Sequence, residues 1–231
     1  MKLLLHACCA PCSIACIESL GEEGLRPSLF WYNPNIHPWT EYKSRRDCLQ
    51  TFAGERGLEL ETEDEYGLRA FIRGIYPFLE RPFFERPSPD SPFIERETGG
   101  EGSAQPGGGA GTPPSRCAFC YRLRLEKTAE KAGREGFDAF STTMLISPYQ
   151  NHDLIRALGE ELAGSYGVVF LYRDFRPRFR EGRGKAGELG LYLQKYCGCI
   201  FSEEERYLGK KPAGSGGTGV SPSGRGPARL R

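Results

Sequence analysis

The amino-acid sequence predicts an α/β protein of three layers, with helices on both faces of a largely parallel sheet. Two observations carry that reading. Short apolar segments alternate along the chain with longer helical ones, the order expected of successive βα units. The joints between them hold Gly, Pro and Asn, the residues of helix ends and turns. Composition agrees with the class: 231 residues, 39% hydrophobic and 26% charged, suffice for one ordinary globular core.

Lys2 to Leu5 reads as a buried first strand that breaks at His6-Ala7-Cys8-Cys9. Pro11 suits the first turn of a helix over about Cys12 to Glu22, where its missing N–H would be unpaired in any case. A second strand is expected over Leu29 to Tyr32, ended by the turn residues Asn33-Pro34-Asn35. A polar helix from Trp39 to Arg56 stops at Gly57, a third strand begins over Leu58 to Leu60, and a helical stretch follows over Gly67 to Pro77. Order resumes with a helix from Cys117 to Ala132, a strand over Phe137 to Ser141, a helix over Pro148 to Ala163 and a strand over Val168 to Tyr172. A last helix, Lys185 to Lys195, would deliver Tyr196-Cys197-Gly198-Cys199. Ligands of such sheets bind beyond the carboxyl ends of the strands, so the loop carrying Cys8 and Cys9 is well placed for chemistry.

The expected organisation is a single catalytic domain over residues 1–208, with an insertion at about 78–115 that is flexible or partly ordered. Thr98 to Ser115 holds seven glycines and three prolines and cannot build a core. Residues 209–231 read as a disordered basic tail. Its five basic residues face no acid and leave 26 basic against 30 acidic residues before it, so an acidic body of net −4 adjoins a tail of +5. No apolar run is long enough to span a bilayer, and Leu3 to Leu5 runs straight into His6 and cysteines. A cytoplasmic protein without membrane contact is expected.

Nine cysteines, an odd number, argue against a disulfide framework. Seven fall in three groups: Cys8, Cys9 and Cys12; Cys117 and Cys120; Cys197 and Cys199. Cys117-Ala118-Phe119-Cys120 opens a helix, whose N-terminal field favours the thiolates that metals need. With Cys8 and Cys9 it supplies four sulfur ligands, enough for tetrahedral zinc or a [4Fe-4S] cluster. Cys197-Gly198-Cys199 reads equally as a strained, readily reduced disulfide and as a pair of metal ligands. Cys12 opens the first helix beside the same site, whereas Cys16 and Cys48 read as small buried hydrophobes. Arg173, Arg176, Arg178 and Arg180, interleaved with Phe175 and Phe179, combine the phosphate pairing and base stacking of an RNA contact. A solvated loop explains the same string. Arg45, Arg46, Arg122 and Arg124 would extend a positive surface if they share a face.

Taken in order, several strings together resemble one family: Leu4-Leu5-His6-Ala7-Cys8-Cys9-Ala10-Pro11-Cys12-Ser13, Tyr32-Asn33-Pro34-Asn35-Ile36-His37-Pro38, Cys117-Ala118-Phe119-Cys120-Tyr121-Arg122-Leu123, Ser141 to Tyr149 and Tyr196-Cys197-Gly198-Cys199-Ile200-Phe201-Ser202. The chain is similar to the epoxyqueuosine reductases of the QueH type, over about Leu3 to Gly74 and Arg116 to Tyr207. The resemblance implies a fold similar to the adenine nucleotide α-hydrolases and reduction of the epoxide of epoxyqueuosine at the tRNA wobble position, the last step of queuosine synthesis. It also implies a [4Fe-4S] cluster on Cys8, Cys9, Cys117 and Cys120, without cobalamin. Cys197 and Cys199 would then be a redox-active pair or ligands of one additional iron. His6, Tyr32 and Asp174 are the candidate proton donors. The partners implied are tRNA carrying epoxyqueuosine and an electron donor that no motif identifies. Two rivals remain at this stage: a thiol-disulfide oxidoreductase using Cys9/Cys12 or Cys197/Cys199, and a zinc-stabilised RNA-binding module.

Overall fold

The computed structural model describes residues 1–78 and 116–208. The expected insertion at about 78–115 lies outside the described residues except for Phe78, and the expected basic tail lies wholly outside them.

Five parallel strands form one sheet in the order β3-β2-β1-β4-β5, with β1 over Leu3–His6, β2 over Pro27–Trp31, β3 over Leu60–Thr62, β4 over Ala139–Thr142 and β5 over Val169–Phe170. In β1, Leu3, Leu4 and Leu5 are all buried although their side chains alternate between faces. A central parallel strand covered on both sides needs such an unbroken apolar run. The chain winds outward from β1 through α1 (Ala10–Glu22) and α2 (Trp39–Glu55) to β3. After α3 (Leu68–Ile75) it returns through α4 (Arg116–Arg134) to β4, and through α5 (His152–Tyr166) to β5. Right-handed crossovers in opposite directions place the two helix groups on opposite faces, which gives the three layers expected. Accordingly α1 packs against α2 and α6 (Phe179–Glu188), whereas α4 packs against α3 and α5.

The winding reverses between β1 and β4, which pair from Leu3 with Ala139 to His6 with Thr142. At that point the two following loops part and open a crevice at the carboxyl ends of the strands. Cys8 and Cys9 lie on one side of the crevice and Thr143 on the other.

The last expected helix is corrected. Lys185 to Lys195 is not helical as a unit; α6 begins earlier, at Phe179, and stops at Glu188, and no helix intervenes before α7 (Ile200–Tyr207). Tertiary contact decides the placement. Gly182 of α6 lies flush on α1, where an added Cβ would stand 3.1 Å from the Ala15 Cβ. That close approach fixes a glycine-rich helix that propensity alone disfavours. Freed from helix, Leu191 to Cys199 runs as a loop over the crevice.

Candidate active site

Cys8, Cys9 and Cys12 come together because a strand end turns directly into a helix. Cys9 caps α1: its sulfur accepts the Cys12 N–H at 3.4 Å, and its carbonyl accepts the Ser13 hydroxyl at 2.8 Å. The three sulfurs lie within 4.8 Å of one another. The helix N-terminus and hydrogen bonds concentrate negative charge on one of them. The Cys8 thiol is held well below its ordinary range, chiefly by hydrogen bonds from Cys12 and Cys9 and then from Thr143, whose hydroxyl lies 3.3 Å from the Cys8 sulfur. Burial pushes the Cys9 thiol well up, and Cys12 is raised chiefly by its hydrogen bond to Cys8, with burial and the charge of Cys8 adding to it. Three soft donors this close together form a site that can hold a metal.

The second group sits on α4. Cys117 is exposed, whereas Cys120 is 7% exposed. Burial raises the Cys120 thiol to about 12 against the opposing charge of Arg124. Arg124, itself only 2% exposed, donates from Nε to the Cys120 carbonyl at 3.0 Å and from Nη2 to the Cys120 sulfur at 3.2 Å. The fields of Cys120, Cys197 and Cys8 all act on this one guanidinium.

The third group is a turn at the loop end. Gly198 has φ +144°, a backbone region that L side chains rarely adopt, and its backbone N–H donates to Ser202 Oγ at 3.1 Å. Arg45 holds the turn from below, donating from Nη1 to the Cys197 carbonyl at 3.0 Å and from Nη2 to the Tyr196 carbonyl at 2.9 Å. Its Nε binds buried Glu41 at 2.7 Å, and the Tyr192 hydroxyl closes on the same carboxylate. Cys197 and Cys199 are free thiols. Cys197 opens toward the cavity, yet desolvation still pushes its thiol up, opposed by Arg124 and by the Gln150 amide 3.3 Å from its sulfur.

One cavity of about 360 Å³ lies among these groups, but Cys9, Cys117, Cys120 and Cys199 are not in its lining, and among the described residues only Cys8, Cys9 and Cys12 bring their sulfurs together as a metal-holding set. Cys8, Cys12, Arg124, Thr143 and Cys197 line its interior; Tyr149, Phe179, Arg183, Lys195, Arg206 and Glu205 lie among its other walls. Gln194 donates to the Cys12 sulfur at 3.1 Å, while its buried Oε1 has no partner among the described residues.

Other sequence candidates have different surroundings. His6 is fully buried beneath the crevice, its Nδ1 3.0 Å from Thr142 Oγ1 and its Nε2 3.2 Å from the Tyr32 carbonyl. Burial lowers its pKa to about 4, so it is neutral at physiological pH. Tyr32 stacks on Phe30, and burial raises its phenol to about 12. Asp174 pairs with the Arg176 guanidinium and accepts the Arg176 backbone N–H at 3.0 Å. None of the three lines the cavity. Cys16 is buried and Cys48 half-buried, both with thiols raised by burial.

The arginine string is neutralised within the fold. Arg173 pairs with Glu23, Arg176 with Asp174, and Arg178 with Glu18, Glu22 and Glu181. Arg180 is exposed but does not line the cavity. Arg45 and Arg124, read as surface cations, are instead buried parts of the site. Their sequence signal was faint: each follows an aromatic-rich helical turn, and nothing separates it from a solvated arginine until the fold is known.

The chain matches the family model described as Epoxyqueuosine reductase QueH over residues 3–82 and 105–205. It is 35% identical over 206 residues to the epoxyqueuosine reductase QueH of Dehalococcoides mccartyi, covering 89% of this chain and 94% of the relative. The corresponding protein of Thermotoga maritima is 34% identical over 206 residues, covering 88% and 91%. That of Haemophilus influenzae is 31% identical over 205 residues, covering 87% and 71%.

Proposed function

The chain belongs to the QueH family of epoxyqueuosine reductases, and from that premise we propose that it reduces the epoxide of epoxyqueuosine at a tRNA wobble position to the alkene of queuosine. Two electrons and two protons are consumed, both C–O bonds of the epoxide break, and the oxygen leaves as water. The observation that carries the reading is the convergence of Cys8, Cys12 and Cys197 on one cavity at the reversal of the sheet. A space of about 360 Å³ suits one extruded nucleobase with its substituent rather than a duplex. An anticodon loop is single-stranded and can splay a base into it.

Cys8, Cys9, Cys117 and Cys120 are assigned as the holders of a [4Fe-4S] cluster, with Cys197 and Cys199 as a redox-active pair or ligands of one additional iron. The donor chemistry suits such a group: it is all sulfur, hydrogen bonds hold the Cys8 thiol well below its ordinary range, and buried Arg124 and Arg45 offset the negative charge such a centre brings. A bound cluster would supply single electrons and a Lewis-acidic iron to the departing oxygen. As a redox pair, Cys197 and Cys199 would carry two electrons and two protons between them, the full requirement of the reaction. Gln150 and Gln194 orient the sulfurs of Cys197 and Cys12. No helix among the described residues is long and apolar enough to cross a membrane, and tRNA substrate points to the cytoplasm as the place of action.

The test is anaerobic purification followed by iron, zinc and acid-labile sulfide analysis, with turnover of epoxyqueuosine-tRNA under dithionite and no added cobalamin. About four iron and four sulfide per chain and conversion to queuosine support the assignment. Iron in excess of sulfide adds the mononuclear site. Zinc without sulfide, or a metal-free protein after reconstitution, together with no conversion, overturns it.

A further inference from the structure

The basic residues of this chain divide into two sets, and only one is free to meet an anion. The string from Arg173 to Arg178, the more conspicuous in sequence, is consumed by acids of α1 and of its own segment. Arg183, Lys195 and Arg206 are exposed, border the cavity and enter no ion pair among the described residues. They come from three separate segments: α6, the loop over the crevice and α7. The acid among them, Glu205, is already bound to Arg116. Beside them stands Tyr149, 85% exposed, its ring set edge-to-face on Phe179 with centroids 6.2 Å apart. A large aromatic left open to solvent yet braced by a neighbour offers a rigid π-face.

We propose that Arg183, Lys195, Arg206 and Tyr149 form the docking surface for the single-stranded loop that carries the target nucleotide. The three cations hold phosphates flanking that nucleotide, and Tyr149 stacks a neighbouring base as the target enters the cavity. This rests on the tRNA-reductase reading and specifies the surface it uses. Cations around the opening position the backbone without reading sequence, and stacking on Tyr149 tolerates any base. Both properties suit an enzyme that recognises its substrate by the modified base inside the cavity.

The experiment measures binding of an unmodified anticodon stem-loop RNA to the full-length, anaerobically purified protein by fluorescence anisotropy between 50 and 200 mM salt. The tail's five cations are common to every variant. Because three neutralised phosphate contacts on a single strand are worth a logarithmic salt slope of about −2, the triple variant Arg183→Gln/Lys195→Gln/Arg206→Gln should flatten the slope by about that amount. It should also lose at least tenfold in affinity at the lower salt. Tyr149→Ala should weaken binding about tenfold with the slope unchanged. Arg176→Gln, whose cation is already paired, should bind as the wild type does. Circular dichroism of each variant should match that of the wild type. A triple variant with wild-type affinity and slope, in a protein whose wild type reduces epoxyqueuosine-tRNA, overturns the docking surface alone. A wild type that neither binds the RNA nor reduces the tRNA overturns the functional reading beneath it.

Discussion

Replacing Arg45 by Met removes the support of the Cys197 turn and leaves a charge stranded. Arg45 is 1% exposed and Glu41 7% exposed, so neither is stabilised by water. In the variant Glu41 keeps only the Tyr192 hydroxyl, and the carbonyls of Tyr196 and Cys197 lose their donors. Breaking a buried pair by deleting one partner costs about 3–5 kcal/mol. For a folded body of this size each kcal/mol lowers Tm by about 2–4 °C, so the expected fall is roughly 6–20 °C. The assay is thermal unfolding followed by circular dichroism. Adding Glu41→Gln to Arg45→Met removes the stranded charge and should regain several degrees. The same detachment should make Cys197 react faster with a thiol reagent at 25 °C. A single variant within about 2 °C of wild type, or a double variant no better than the single, would refute the reasoning.

Other outcomes follow from the same structure. His37 is fully buried between Tyr66 and Phe71, and burial, opposed by a hydrogen bond to the Pro34 backbone, lowers its pKa to about 4. The unfolded chain therefore takes up this proton first as pH falls, and stability is lost between about pH 6.5 and 4. At pH 5 the loss from His37 is about 2 kcal/mol, so His37→Phe should shrink the fall in Tm between pH 7 and 5 by roughly 4–8 °C; an unchanged fall counts against it. Gly198→Ala forces a side chain into φ +144° with its Cβ 3.1 Å from Ile36 Cγ1 and 3.4 Å from Arg45 Nη1. It should cost about 1–3 kcal/mol, read as a lower denaturant midpoint at unchanged m-value, and a wild-type midpoint would show that the turn is not constrained. Cys197→Ser and Cys199→Ser should each abolish turnover while about four iron and four sulfide per chain remain, any iron in excess of sulfide being the only part lost; loss of the sulfide and its iron in both variants rejects the separation of the two cysteine centres.

The sheet was legible because its strands are short, apolar and separated by helices that begin and end with ordinary signals. Leu3 to Leu5 is buried as expected, and Pro11 occupies the first turn of α1. Boundaries moved where tertiary contact outweighed local preference. The third strand runs over Leu60–Thr62, later than expected, because it pairs with Leu29 to Trp31 of β2. α6 exists despite three glycines because Gly182 lets it lie against Ala15. α7 escaped notice because it is short and has no side-chain cap. Within the site, cysteines are visible in sequence since their spacing is chemically specific. Arg45 and Arg124 were not, because a buried arginine and a surface arginine are the same letter; the carbonyls that hold Arg45 lie more than a hundred positions away in the chain. The neutralised arginine string shows the converse: Glu18, Glu22 and Glu23, at the end of α1 and far upstream in the chain, supply part of its acids.

The close contact of Gly182 with Ala15 gives the cavity two walls of unequal stiffness. On one side α6 rests on α1 with Gly182 against Ala15, so the spacing of the two helix backbones is set by close contact. On the other side Leu191 to Cys199 is held by discrete polar ties: Gln194 to Cys12, Tyr196 to the His37 carbonyl, and Arg45 to the turn. Close-packed helices shift little without losing many contacts at once, whereas hydrogen-bonded loops open one bond at a time. Breathing is therefore confined to one side. The helix wall works as a depth gauge for whatever enters, and the loop wall works as the door, carrying Cys197 with it as it moves.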